Sequence, residues 1–221
     1  MKLPVNKPRV KVCCVSSVEE AKIAIRYGAS ALGLVSDMPS GPGVISEDLI
    51  LKIVKIVPPG VASVLLTSMQ NIDDIIEQQR KLKVNTIQIV DELKSGTHRE
   101  LKQALPGVSI IQVIHVNGEE AIQEALSLED QVDAFLLDTG NRSLRVKILG
   151  GTGRTHDWTI SDKLRRSVKV PIFLAGGLNT NNIQEAIEKV KPFAVDLCSG
   201  LRTNGKLDET KVSLFFQILQ S

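Results

Sequence analysis

Short apolar runs alternate with longer amphipathic stretches along the whole chain. The runs are Val10–Val15, Ala31–Val35, Ala62–Leu66, Thr86–Val90, Ser109–His115, Ala134–Asp138, Val170–Leu174 and Ala194–Cys198. They are rich in Val, Ile and Leu rather than strictly alternating, which predicts strands covered on both faces, as in a parallel sheet. Apolar residues three and four apart predict helices over Val18–Tyr27, Glu47–Val57, Ile72–Leu82, His98–Ala104, Glu119–Leu126, Ile160–Arg166, Asn182–Val190 and Glu209–Leu219. In the first helix Val18, Ala21, Ala24 and Ile25 share a face, Glu19, Glu20, Lys22 and Arg26 face water, and Ser17 stands as N-cap. Eight β-then-α units predict an α/β fold, a single (β/α)8 TIM barrel that takes residues 1–221 as one domain. A doubly wound open sheet also alternates, but about six or seven units suffice for it. No Gly-x-Gly-x-x-Gly follows the first run.

Composition narrows the function. With 27 Lys+Arg against 25 Asp+Glu the net charge is +2, and the charges are interspersed. That leaves no basic stripe for a phosphate backbone, and the seven aromatic residues form no stacking platform, so nucleic acid is not an expected partner. Three cysteines at 13, 14 and 198 make neither a disulfide framework nor a C-x-x-C zinc pair. No metal site is expected, and a reducing cytoplasmic setting is. No apolar run approaches the roughly 18 residues of a membrane span, and the first residues lack a secretory apolar core. The outer helix faces do not choose between a monomer and a homodimer.

In a barrel of this kind the chemistry lies where the strands end. Gly176 and Gly177 follow the seventh run, and Ser199 and Gly200 follow the eighth. Two neighbouring glycine loops, each leading toward a helix, present backbone N–H groups to a phosphate; alternatively the glycines only permit tight turns. A second cluster, Gly150 to Trp158 with Gly151, Thr152, Gly153 and Arg154 inside it, is either a mobile cover or a surface excursion. It lacks the lysine and spacing of a Walker loop. Cys13 and Asp138 are the candidates for proton transfer, against the alternatives of a small buried hydrophobe and a loop cap. Alternation places Lys11 and Cys13 on one face and Cys14 on the other, so one thiol is expected to enter the mouth. His115 and His156 read as hydrogen-bonded or surface groups, and Trp158 as a rim-packing residue.

Five segments, Lys11-Val-Cys13, Leu136-Leu-Asp-Thr139, Gly150-Gly-Thr-Gly-Arg-Thr-His-Asp-Trp158, Leu174-Ala-Gly-Gly-Leu-Asn179 and Val195-Asp-Leu-Cys-Ser-Gly200, resemble in order the signatures of phosphoribosylanthranilate isomerases. The resemblance spans all eight units. It implies a cofactor-free Amadori rearrangement in tryptophan biosynthesis, converting N-(5-phosphoribosyl)anthranilate to 1-(2-carboxyphenylamino)-1-deoxyribulose 5-phosphate. By the same resemblance Cys13 is the general base and Asp138 the general acid. Gly176, Gly177, Ser199 and Gly200 hold the substrate phosphate, and Lys11, Gln88 and the Gly151–Arg154 loop line the substrate. The chain departs from the family pattern at several points. Leu34 to Gly43 contains no arginine to meet the anthranilate carboxylate, Gln88-Ile-Val-Asp91 replaces Gln-Leu-His-Gly, Cys14 replaces a glycine, and Arg154 and His156 replace Lys and Phe. Ser36, Ser40, backbone N–H groups around Gly41 or Arg154 remain to bind that carboxylate. The competing readings are a non-catalytic phosphate-binding barrel and an isomerase of a related phosphoribosyl amine.

Overall fold

The structure, a computed structural model, describes residues 7–39, 41–140 and 155–220. Among these, strands β1 Arg9–Val12, β2 Ala31–Val35, β3 Ala62–Thr67, β4 Thr86–Ile89, β5 Ser109–His115, β6 Ala134–Asp138, β7 Ile172–Leu174 and β8 Ala194–Leu197 run parallel and close into a barrel in chain order. Closure comes from β1 pairing with β2 on one side and β8 on the other, which places Lys11 opposite Asp196. Around it lie α1 Val18–Tyr27, α2 Glu47–Val54, α3 Ile72–Leu82, α4 His98–Ala104, α5 Glu120–Leu128, α6 Trp158–Ser167, α7 Ile183–Val190 and α8 Glu209–Gln220. The expected (β/α)8 barrel is the fold observed.

Local chemistry sets the element ends. Ser17 caps α1 by accepting from Glu20 N at 3.0 Å, and Thr97 and Glu100 close a capping box on α4. α2 stops at Val54, short of the expected Val57, because a residue before proline is pushed out of helical conformation and Pro58 follows. β7 starts only at Ile172 because Pro171 has no N–H to give the ladder.

The strand residues do alternate, but between two apolar layers. Val10, Val12, Leu32, Leu34, Phe135, Leu137, Leu174 and Val195 pack outward against the helices. Ala31, Val35, Val64, Leu66, Ile111, Val113, Ala134, Leu136 and Ala175 fill the barrel with both Cys13 and Cys14. Trp158 is buried in the outer layer, as expected of a rim residue.

One element is missing from the sequence reading. After β8, a short turn Ser199–Leu201 leads into a hairpin of β9 Arg202–Thr203 and β10 Lys206–Leu207. Its Asn204–Gly205 corner has φ of 51° and 78°, the geometry that Asn-Gly favours in two-residue hairpins. No helix among the described residues is long and apolar enough to cross a membrane.

Candidate active site

A buried ion pair lies inside the barrel. Lys11 Nζ lies 2.8 Å from Asp196 Oδ2, with the lysine side chain fully buried. Burial pulls the ammonium toward neutrality, but Asp196 and the neighbouring thiols Cys13 and Cys14 hold Lys11 above its ordinary pKa. Burial pushes the Asp196 carboxyl upward while Lys11 opposes it. Gly33 on β2 makes the room: a Cβ there would stand 2.8 Å from Cys13 Sγ and 3.2 Å from Lys11 Nζ. Thiol and ammonium therefore flank one gap. Because that Cβ would also lie 3.0 Å from the Cys13 Cα, the backbone would have to move. Gly33→Ala is expected to lower kcat by about 10- to 100-fold with the fold retained, checked by steady-state kinetics beside circular dichroism.

Cys13 sits just beyond β1, which ends at Val12, short of the expected Val15. The chain leaves extended geometry at Cys14, whose φ is 58°. This overturns the expectation that a single thiol enters the mouth: alternation holds only while the backbone stays extended, and both cysteines join the inner layer. Arg202 fixes the turn, its Nη2 donating to Cys13 O at 3.3 Å and to Cys14 O. The same guanidinium meets Glu20 Oε1 at 3.1 Å and Oε2 at 3.0 Å. Glu20 is thus no water-facing residue. It is buried, and it also accepts from Ser16 N and Leu207 N at 2.9 Å each.

Asp138 closes β6 on the inward parity of Ala134 and Leu136. Its Oδ1 accepts from Thr139 N at 2.7 Å. Desolvation pushes the carboxyl up to about 7, opposed by the Thr139 hydrogen bond and helped by the charge of Asp196. A carboxylic acid that keeps its proton near neutrality is a proton donor.

The glycine loops meet at the same end. Gly176 and Gly177 take φ of 83° and 64°, the left-handed region that favours glycine. A Cβ on Gly200 would stand 2.1 Å from Leu178 O, so the loop after β8 rests directly on the loop after β7. Asn179 and Asn182 brace the corner by donating to Gly177 O at 3.0 Å each. Among the described residues, no protein acceptor takes the backbone N–H groups of Gly176, Gly177, Ser199 or Gly200.

Two residues assigned to a substrate-lining loop are not in one. Lys11 lies within β1 and Gln88 within β4, both inward-facing and buried, because their positions in the runs fall inside the ladder rather than past it. Among the described residues, Gln88 Oε1 has no hydrogen-bond partner. Gly151, Thr152, Gly153 and Arg154 lie outside the described residues, as does Ser40. The Ser36 hydroxyl is already committed, donating to Leu66 O at 2.7 Å. His156 shares a 2.6 Å hydrogen bond with Ser161 Oγ, and burial pushes it down to about 4, so it stands as a neutral ring. Asp196 and Arg202 were not singled out from the sequence. A charged residue inside the run Ala194–Cys198, in register with a lysine inside the first run, was the available signal, since buried charges require partners.

A family model described as N-(5'phosphoribosyl)anthranilate (PRA) isomerase matches residues 10–218. The chain is 37% identical over 209 residues to N-(5'-phosphoribosyl)anthranilate isomerase 2 of Methanosarcina mazei, covering 94% of this chain and 92% of the relative. It is 34% identical over 204 residues to the isomerase of Methanocella arvoryzae, covering 92% and 93%. Among solved structures, phosphoribosyl anthranilate isomerase from Thermotoga maritima superposes with a TM-score of 0.80 at 28% identity, covering 96% of this chain and 98% of the other.

Proposed function

Because this chain belongs to the N-(5'-phosphoribosyl)anthranilate isomerase family, we propose that it performs that isomerisation in tryptophan biosynthesis with Asp138 as general acid and Cys13 as general base. The observation that carries the assignment is the meeting, at the carboxyl ends of the barrel strands, of a carboxyl raised to about 7 by burial, a thiol beside a lysine, and two abutting glycine loops.

Asp138 donates its proton to the furanose ring oxygen of N-(5-phosphoribosyl)anthranilate. The C1′–O bond breaks, and the nitrogen lone pair forms the iminium. The Cys13 thiolate, with the Lys11 ammonium as counter-charge, removes the proton from C2′, and its electron pair neutralises the iminium as an enolamine. Tautomerisation carries the enol proton to C1′ and leaves the ketone of 1-(2-carboxyphenylamino)-1-deoxyribulose 5-phosphate. Exchange with water resets both side chains. Every step is a proton shift coupled to ring opening, an aldose–ketose isomerisation for which these two side chains suffice without a cofactor.

The phosphate is held by the backbone N–H groups of Gly176, Gly177, Ser199 and Gly200, and binding energy at that end positions the sugar carbon at the other. Gln88, inward-facing on β4, completes the lining. The partner is a small phosphosugar met in the cytoplasm by a monomer or homodimer, rather than a nucleic acid or a membrane. The test follows the fluorescence of N-(5-phosphoribosyl)anthranilate with purified protein. The substrate is expected to disappear, and binding of a phosphate ligand without loss of substrate would point to a non-catalytic barrel.

A further inference from the structure

Three thiols gather at the barrel mouth, and catalysis as assigned above uses one. Cys14 Sγ lies 2.8 Å from Cys198 Sγ, although the two residues are 184 positions apart in sequence. The contact is built rather than incidental. Cys14 holds a left-handed backbone that side-chain-bearing residues rarely adopt, and Arg202 pins it there by donating to the carbonyls of Cys13 and Cys14. The loop after β2 closes over it so tightly that a Cβ on Gly43 would stand 2.5 Å from Cys14 Cβ. Cys14 is buried, whereas Cys198 is partly exposed. No group of three or more His, Cys, Asp or Glu among the described residues is arranged to hold a metal ion. What remains for the pair is thiol chemistry.

We propose that Cys14 and Cys198 are a redox-modification site, joined as a reversible disulfide by a hydroperoxide, while Cys13 stays a free thiol. Cys198 is the attacking sulfur. The hydrogen bond shared with Cys14 holds its thiol below the ordinary range against the effect of burial, and the Arg202 charge adds to this. The Cys198 thiolate attacks one peroxide oxygen; an S–O bond forms, the O–O bond breaks, and the departing oxygen leaves as alcohol or water after taking a proton. The Cys14 thiol then attacks the resulting sulfenic acid; the S–S bond forms, the S–O bond breaks, and water leaves with the Cys14 proton. Two electrons pass from the two thiols to the peroxide. Cys13 and Cys14 are disfavoured as a pair because consecutive Cα atoms lie about 3.8 Å apart, inside the roughly 4.4–6.8 Å that a disulfide normally spans. The bond would tie the turn carrying Cys13 to the loop carrying Ser199 and Gly200. Its formation does not depend on the chain's turning over any substrate.

The test treats the reduced full-length protein with about one equivalent of hydrogen peroxide, alkylates it, and maps tryptic peptides by mass. Alkylatable thiols are expected to fall from three to one. Peptide 12–22 should be joined to peptide 190–202, with dithiothreitol restoring all three thiols. Cys13→Ser is expected to keep the link, and Cys14→Ser and Cys198→Ser each to abolish it. A link that survives Cys14→Ser, a Cys13–Cys14 bond, sulfinic acid without a cross-link, or three thiols still alkylatable would each overturn the proposal.

Discussion

Asp138→Asn is expected to lower kcat by about two to four orders of magnitude and to erase the alkaline limb of the pH profile. With its carboxyl held at about 7, Asp138 loses, as the pH rises through neutrality, the proton that the proposed mechanism has it donate. Wild-type turnover should therefore fall by about tenfold per pH unit above that point, whereas the variant, already slow, should not. Cys13→Ala is expected to lose turnover comparably, with a phosphate ligand binding either variant nearly as well as wild type. Stability should move the other way. An unfolded aspartate titrates near about 3.9. Between that value and about 7 the folded protein keeps a proton that the unfolded chain releases, so stability falls as pH rises through this window. At pH 8, Asp138→Asn should gain about 2–4 kcal/mol in urea unfolding. Activity lost and stability gained in one substitution is the signature of a carboxyl placed for chemistry.

The second large effect concerns the pair beneath it. Lys11→Met or Asp196→Asn alone strands a charge inside the barrel, where Lys11 is fully buried, and is expected to cost about 3–5 kcal/mol. Lys11→Met combined with Asp196→Leu removes both charges and should recover most of that loss, because an apolar pair of similar volume needs no counter-ion. Turnover should not recover with it. The double variant removes the ammonium that faces Cys13, while for Asp138 it removes both the Asp196 charge that raises the carboxyl and the Lys11 charge that lowers it. Urea melts and kcat, measured on the three variants together, separate the structural role of the pair from its electrostatic one.

The barrel was legible because eight apolar runs each had to be covered on both faces, and Cys13, Asp138 and the glycine loops fell at run ends, where barrel chemistry sits. Side-chain direction was legible only where the backbone stayed regular. Lys11 and Asp196 fell on the inward parity, but Cys14 escaped it through one left-handed residue that no apolar pattern encodes. Glu20 reads as a solvated helix residue because its partner Arg202 stands 182 positions away, on a hairpin beyond the reach of any local window. The Asn204–Gly205 corner did carry a local signal, an Asn-Gly pair between short strands, and could have been read.

Co-crystallisation with a reduced analogue of the product measures the central claim directly. The account places the analogue's phosphate on the amides of Gly176, Gly177, Ser199 and Gly200, with Cys13 Sγ and a carboxyl oxygen of Asp138 each within hydrogen-bond reach of the sugar, on opposite sides of it. A phosphate bound elsewhere, or a sugar that Cys13 and Asp138 cannot both touch, would contradict it.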